Sequence, residues 1–270
     1  MQDFCYLIEN FFTHKDFLLP AEQIPGTLFT PLHFIFSSIA LAIVILSAIY
    51  VAKHKKLIKP VFIAVLITLV AFEFIIVTWE SVSGKEVGLD LTSNLSLYPC
   101  SIFMYAMPFA IWGKGLPKRM ACGYVCTLGL LGSAINFLYP AVRLSTYSCI
   151  SFPGFHTFIY HGTMLFTCLV MLLSNYHRYT KIDHWWEMFL ACIPTMIVSI
   201  PANIVNYSHL NTDYMFFKGH FALLSIIFKG ASEIAVTIIV YLLYIIIPSL
   251  FYLPSYVKRK RARAHNPLTD

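Results

Sequence analysis

The sequence predicts an all-α, polytopic membrane bundle of about seven transmembrane helices, with the N-terminus outside and the C-terminus cytoplasmic. Three observations lead there. Of 270 residues, 58% are apolar or aromatic and only 12% are charged, against roughly 45–50% and about 25% in soluble domains. So few charges cannot cover a water-facing surface, which excludes a soluble enzyme and a disordered chain. The apolar residues also fall into seven long stretches, and about 18 or more such residues cross a hydrocarbon core roughly 30 Å thick at about 1.5 Å per residue. The 23 Phe and 16 Tyr suit lipid-facing surfaces and interfacial belts.

Residues 1–30 come first. Phe4, Tyr6, Leu7, Phe11 and Phe12 mix there with Asp3, Glu9, Lys15 and Asp16, without the basic start and small-residue cleavage site of a signal peptide. A short outer interfacial helix is expected. The transmembrane domain, residues 31–252, then holds spans over Pro31–Ala52, Pro60–Ser81, Leu95–Trp112, Lys118–Leu138, His156–Ser174, Trp185–Asn206 and Gly230–Phe251. Between the last two, Tyr207–Lys229 is too interrupted to cross and lies at the outer interface or re-enters. Residues 253–270 form a basic cytoplasmic tail.

Orientation comes from Lys and Arg. Lys53, Lys55, Lys56 and Lys59, then Lys114, Lys118 and Arg119, then Arg178 and Lys181, and finally Lys258, Arg259, Lys260, Arg261 and Arg263 share one side only if there are seven spans. The net charge of +6 is therefore an orientation signal, and no nucleic-acid partner is implied. Seven scattered cysteines without a Cys-x-x-Cys pair imply no metal site. Cys122 and Cys126 share a face with Gly129 and Ser133, a stripe of small packing residues. Cys5 and Cys149 both fall outside and are a candidate disulfide pair.

Ionisable and strongly polar side chains within spans face the bundle interior and are functional candidates. Asn136, Asn203, Asn206 and Glu233 lie at outer ends of their spans. Glu73 lies deeper in the second span, with Glu80 seven residues on along the same face. Cys100 and His161 each lie about five residues into a span, about 7.5 Å deep at helical rise. One outward-opening polar cavity is implied. Taken singly, Cys100 also reads as a packing residue and His161 as a satisfied buried histidine; their shared depth favours a pair. An imidazole that takes a thiol's proton produces the nucleophilic thiolate, and an Asn amide or backbone N–H groups would hold the oxyanion of an attacked ester. Glycerol esters of phospholipids lie at that depth.

These residues belong to ordered motifs: Glu73 to Trp79, Leu95-Ser-Leu-Tyr-Pro-Cys100-Ser101, Gly129-Leu-Leu-Gly-Ser-Ala-Ile-Asn136 with Pro140, Phe158-Ile-Tyr-His161-Gly162, and Asn206 with Asp213-Tyr-Met-Phe216. Across roughly residues 30 to 250 the sequence resembles the YwaF-like integral membrane proteins, whose eukaryotic branch is transmembrane protein 164. The resemblance implies a Cys/His acyltransferase of phospholipid remodelling, with Cys100 matching the nucleophile and His161 the histidine. It implies phospholipid or lysophospholipid substrates and no cofactor. Two departures stand out: Tyr98 occupies the position of a histidine in the family's Leu-Pro-Leu-His-x-Cys motif, and Lys229-Gly230 replaces a Gly-Pro-Trp type turn.

The expectation is thus a lipid acyltransferase or lipid hydrolase with catalytic Cys100 and His161. Tyr98, Ser101, Asn136, Asn203, Asn206, Glu73 and Glu233 would orient substrate or hold the oxyanion. A transporter or lipid-binding protein using the same cavity without covalent chemistry is the alternative. Polar groups confined to the outer half fit it poorly, because carriers place their sites near midplane. A seven-span receptor shares the topology, but a pigment would need a Lys well inside the last span. The membrane would be the cell membrane in a bacterium or an endomembrane in a eukaryote. His177, His184, Trp185 and Trp186 read as belt anchors, and His209 and His220 as loop residues.

Overall fold

The computed structural model describes residues 5, 8–18, 24–85, 96–179, 186–190, 192–205, 214–216 and 227–265, and every regular element among them is helical. Seven helices correspond to the seven predicted spans. They are α1 (Pro31–Lys53), α2 (Lys55–Ser83), α3 (Pro99–Trp112), α4 (Gly115–Leu138), α5 (Phe152–Leu173), α6 (Ile193–Val205) and α7 (Glu233–His265).

Local chemistry sets most of the ends. Thr30 caps α1, its side-chain oxygen accepting from the His33 N–H at 3.4 Å, and Pro31 takes the first helical position, where its missing N–H costs nothing. Only His54 separates α1 from α2, so the first basic quartet sits on two helix ends rather than on a loop. Apolarity places the start of the third span at Leu95, but α3 begins at Pro99, because proline holds the preceding residue out of the helical region. α5 begins at Phe152 rather than at His156, with Pro153 in its first turn, where a missing N–H costs nothing. Ser232 sets the start of α7, its hydroxyl accepting from the Ala235 N–H at 3.3 Å, and the helix runs through the basic residues to His265. The expected sixth span is divided into a turn at Glu187–Leu190 and the 13-residue α6. Most of Tyr207–Lys229 lies outside the described residues.

Large apolar side chains point outward along these helices: Ile43 is 61% exposed, Phe74 72% and Ile234 75%. Facing water they would form aggregation-prone stripes, whereas hydrocarbon accommodates them without cost.

The chain divides into two compact units. Unit 1 comprises Met1–Ser96 and Leu130–Val170. Its core of Phe137, Leu144, Cys149, Phe158 and Leu165 is closed by Phe36 of α1, whose ring lies 4.9 Å from that of Phe158. Among residues 1–30, Cys5, Ile8 and Glu9 are helical, and the described residues after them form a strap bonded to the rest of the unit. Phe152 N–H donates to the Phe11 carbonyl at 2.8 Å, Cys149 N–H to Gly26 at 3.1 Å and Leu28 N–H to Leu144 at 2.8 Å. Trp79 Nε1 donates to Phe12 at 3.2 Å, and the Lys85 N–H donates to Asp16 at 3.1 Å, holding that carboxyl below its usual range. No disulfide joins Cys5 and Cys149: Cys5 is exposed, Cys149 is buried, and both are free thiols. Burial pushes the Cys149 thiol up to about 11, which disfavours the thiolate that exchange requires.

Unit 2 comprises Leu97–Gly129 and Met171–Asp270. Gly115, at φ +58°, turns the chain from α3 into α4. Arg119 of α4 grips the buried Glu187 with two bonds of 2.7 Å, and Lys118 lies 4.6 Å from the centre of the Tyr176 ring. Two of the residues read as orientation charges therefore have specific partners. Within α4, Val125–Gly129 forms a π-helical turn. The Tyr179 hydroxyl donates to the Cys126 carbonyl there, and Thr127 Oγ1 donates to Gly123 at 2.7 Å, satisfying backbone groups that the widened turn rearranges. Gly129 is required for packing: a Cβ there would sit 2.8 Å from Cδ2 of Phe103.

Candidate functional site

In unit 2 the site residues gather at the start of α3. Tyr98 is the residue before the helix, Pro99 its first position, Cys100 its second and Ser101 its third. Cys100 is partly exposed and Ser101 buried, and the Ser101 N–H donates to the Tyr98 carbonyl at 2.9 Å. A helix start presents unpaired N–H groups and the positive end of the peptide dipoles, where a thiolate or oxyanion is favoured. The Tyr124 hydroxyl, on a fully buried side chain of α4, donates to the Pro99 carbonyl.

Asn203 acts on this turn indirectly. Its Nδ2 donates to the Tyr214 carbonyl at 2.9 Å and its Oδ1 accepts from the Tyr214 N–H at 2.9 Å. That pairing fixes Tyr214, whose ring packs 5.4 Å from the ring of Tyr98. The adjacent Met215 has φ 59°, a left-handed conformation uncommon outside glycine, and its carbonyl accepts from the Tyr244 hydroxyl at 3.1 Å. Asn203→Ala is expected to lower stability by about 2 kcal/mol, since two buried backbone groups lose their partners, with a matching loss of structure around Tyr98. Thermal unfolding in detergent, with Trp replacing Tyr98 as a local fluorescent reporter, measures both.

In unit 1, His161 lies on α5 with Nδ1 2.9 Å from the Thr157 carbonyl. A carbonyl oxygen only accepts, so Nδ1 carries the hydrogen and Nε2 the lone pair of the neutral ring. Glu73 accepts from the Ser96 hydroxyl, and Glu80 pairs with Arg143. Arg143 also acts electrostatically on Glu73, His156 and His161. The His156 ring stacks with Tyr160 at 5.7 Å and lies 5.8 Å from Phe72. Among the described residues, the buried Oδ1 of Asn136 has no hydrogen-bond partner.

The structure thus joins Tyr98, Cys100, Ser101 and Asn203 within unit 2, and places Glu73, Asn136 and His161 in unit 1. Glu233 is the first residue of α7 and its side chain is not described; Asn206 lies outside the described residues. Counted from each helix start, Cys100 is the second residue of α3 and His161 the tenth of α5.

Sequence reasoning missed Arg143, Ser96 and Tyr124. Arg143 had a signal, a lone cation just after an apolar span, where any carboxylate nearby must find it. Tyr124 had none, because a tyrosine in a span reads as a packing or belt residue until its hydroxyl has a partner.

Among the described residues, five helices are long and apolar enough to cross a membrane, and α3 and Ile193–Ile204 are shorter apolar helices. The molecule is an all-α, multi-pass integral membrane protein. A family model for the TMEM164 family matches residues 28–252, and the chain belongs to that family. No curated protein and no solved structure matches it.

Proposed function

We propose that the protein is a membrane-embedded lipid acyltransferase, or a lipid hydrolase when water takes the acceptor's place, with Cys100 as nucleophile and His161 as general base. The observation that carries this is the position of Cys100 at the second residue of α3, where the helix start stabilises negative charge. His161 supports it, since its hydrogen bond to Thr157 leaves the basic lone pair on Nε2.

In the proposed cycle His161 takes the thiol proton, and the Cys100 sulfur attacks an acyl carbonyl of a phospholipid. A C–S bond forms, the glycerol C–O bond breaks, and the departing oxygen takes the proton back from the imidazolium, releasing a lysophospholipid. A second lysophospholipid hydroxyl then attacks the thioester, His161 again moving the proton, and the thiol is regenerated. Helix-start N–H groups would hold the oxyanion in each half.

Incubating the purified protein with phospholipid and measuring its intact mass tests this. The expected result is an acyl adduct released by neutral hydroxylamine, absent in Cys100→Ala, with acyl transfer reduced by at least about a thousandfold. An adduct that persists in Cys100→Ala, or none in the unsubstituted protein, overturns the proposal. Substrate uptake into proteoliposomes that Cys100→Ala leaves intact would point instead to a carrier.

A further inference from the structure

We propose that Tyr124 is a positioning residue for the Cys100 thiol, holding the peptide that carries the nucleophile. This rests on the reading of Cys100 as that nucleophile. The Tyr124 hydroxyl donates to the carbonyl of Pro99, and the same peptide unit ends in the N–H of Cys100. A donor on a peptide carbonyl draws electron density from the amide and makes its N–H a stronger donor. The hydroxyl therefore fixes the first turn of α3 in place and strengthens the positive helix start beside the sulfur.

The surroundings make Tyr124 a rigid support. It is 1% exposed and is the last residue before the π-helical turn of α4, Val125–Gly129. That turn is held on its other side by the Tyr179 hydroxyl on the Cys126 carbonyl. One turn along α3, Phe103 closes over Gly129, where a Cβ would come within 2.8 Å of its ring. The first turn of α3 is thus registered to α4 by a hydrogen bond at Pro99 and a packing contact at Phe103. A π turn costs a helix some regularity, and such turns recur at functional sites; here it aims a buried phenol at the peptide that bears the thiol.

The test is the alkylation rate of each cysteine in the full-length protein in detergent micelles, read by peptide mass spectrometry with iodoacetamide as probe across a pH series. Tyr124→Phe removes one hydroxyl and keeps the ring. Loss of one buried hydrogen bond's influence is expected to slow Cys100 alkylation about fivefold at neutral pH and to change its pH dependence. The exposed Cys5 should react as before, and Cys122 and Cys126, both buried beside Tyr124, should stay protected. An unchanged Cys100 rate overturns the proposal. So does a change at Cys100 accompanied by new alkylation at Cys122 or Cys126, which marks general loosening. Should Tyr124→Phe fail to fold, 3-fluorotyrosine at position 124 keeps the shape and strengthens the donor; Cys100 should then react faster, and an unaltered rate overturns the proposal. These rates need no lipid. A Tyr124 effect in a protein that forms no acyl adduct would defeat the proposed function alone, and an adduct with equal alkylation rates would defeat the Tyr124 role alone.

Discussion

Replacing Gly154 by alanine is expected to lower the stability of unit 1 by about 3 kcal/mol, among the largest losses for a single methyl group in this protein. Gly154 is the third residue of α5, where the preceding loop crosses over the helix. A Cβ there would lie 2.2 Å from the Ser148 carbonyl oxygen and 2.8 Å from the Cys149 Cα. Both neighbours are backbone, so no side-chain rotation relieves the overlap and the loop itself must lift. Lifting it strains the Ser151 N–H bond to Ser148 at 3.1 Å within the loop and the Cys149 N–H bond to Gly26 at 3.1 Å, which ties the N-terminal strap to the bundle. Alanine is favoured over glycine in a helix by about 1 kcal/mol, so the steric loss must exceed that gain to appear. Gly132→Ala in α4 is the control: nothing lies within 4 Å of its Cβ position, and it should be neutral or stabilising. Thermal unfolding of the two variants in the same detergent decides it. Equal midpoints would mean that the crossing is looser than its geometry.

Arg143→Ala should be comparably damaging, at about 3 kcal/mol, because removing one partner of a mostly buried ion pair leaves the other charge uncompensated. Arg143 and Glu80 are bonded through Nη1 and Oε1, with side chains 25% and 20% exposed. Glu80 stands in the last turn of the apolar α2, with its side chain mostly buried. The double variant Arg143→Met with Glu80→Leu removes both charges and should recover most of the stability. Unfolding midpoints for the two single variants and the double variant provide the measurement. A double variant no more stable than Arg143→Ala would show that the pair is not the source of the loss.

Much of the fold was legible in the sequence because membrane crossing is a local property. A stretch such as Pro31–Ala52 is recognised without knowing its neighbours, and the helix there, Pro31–Lys53, ends one residue later. Where the reading slipped, the cause was equally local. Pro99 moves the start of α3, α5 begins four residues ahead of His156, and Ser232 caps α7 two residues after Gly230, so proline and capping chemistry overrode apolarity at the starts of α3 and α7.

The candidate site was less legible. Cys100, Tyr98 and Ser101 are neighbours in sequence, and their shared turn follows from Pro99. Asn203 was singled out for its polarity within a span, but its partner, the backbone of Tyr214 eleven residues on, depends on how the chain returns after α6. Glu73 and Glu80 share a face as predicted, yet one meets Ser96 and the other Arg143.

By itself, then, the sequence determined that this is a helical, multi-pass membrane protein, where most of its spans lie, and which scarce polar residues are worth explaining. Hydrophobic length and composition suffice for that, because the bilayer demands them of each segment separately. Only the tertiary structure decided which polar group meets which: Arg119 with Glu187 across 68 residues, Arg143 with Glu80 across 63, Tyr124 with Pro99 across 25. Such partners are chosen by which helix faces come together, and a buried polar group has to be satisfied wherever packing places it.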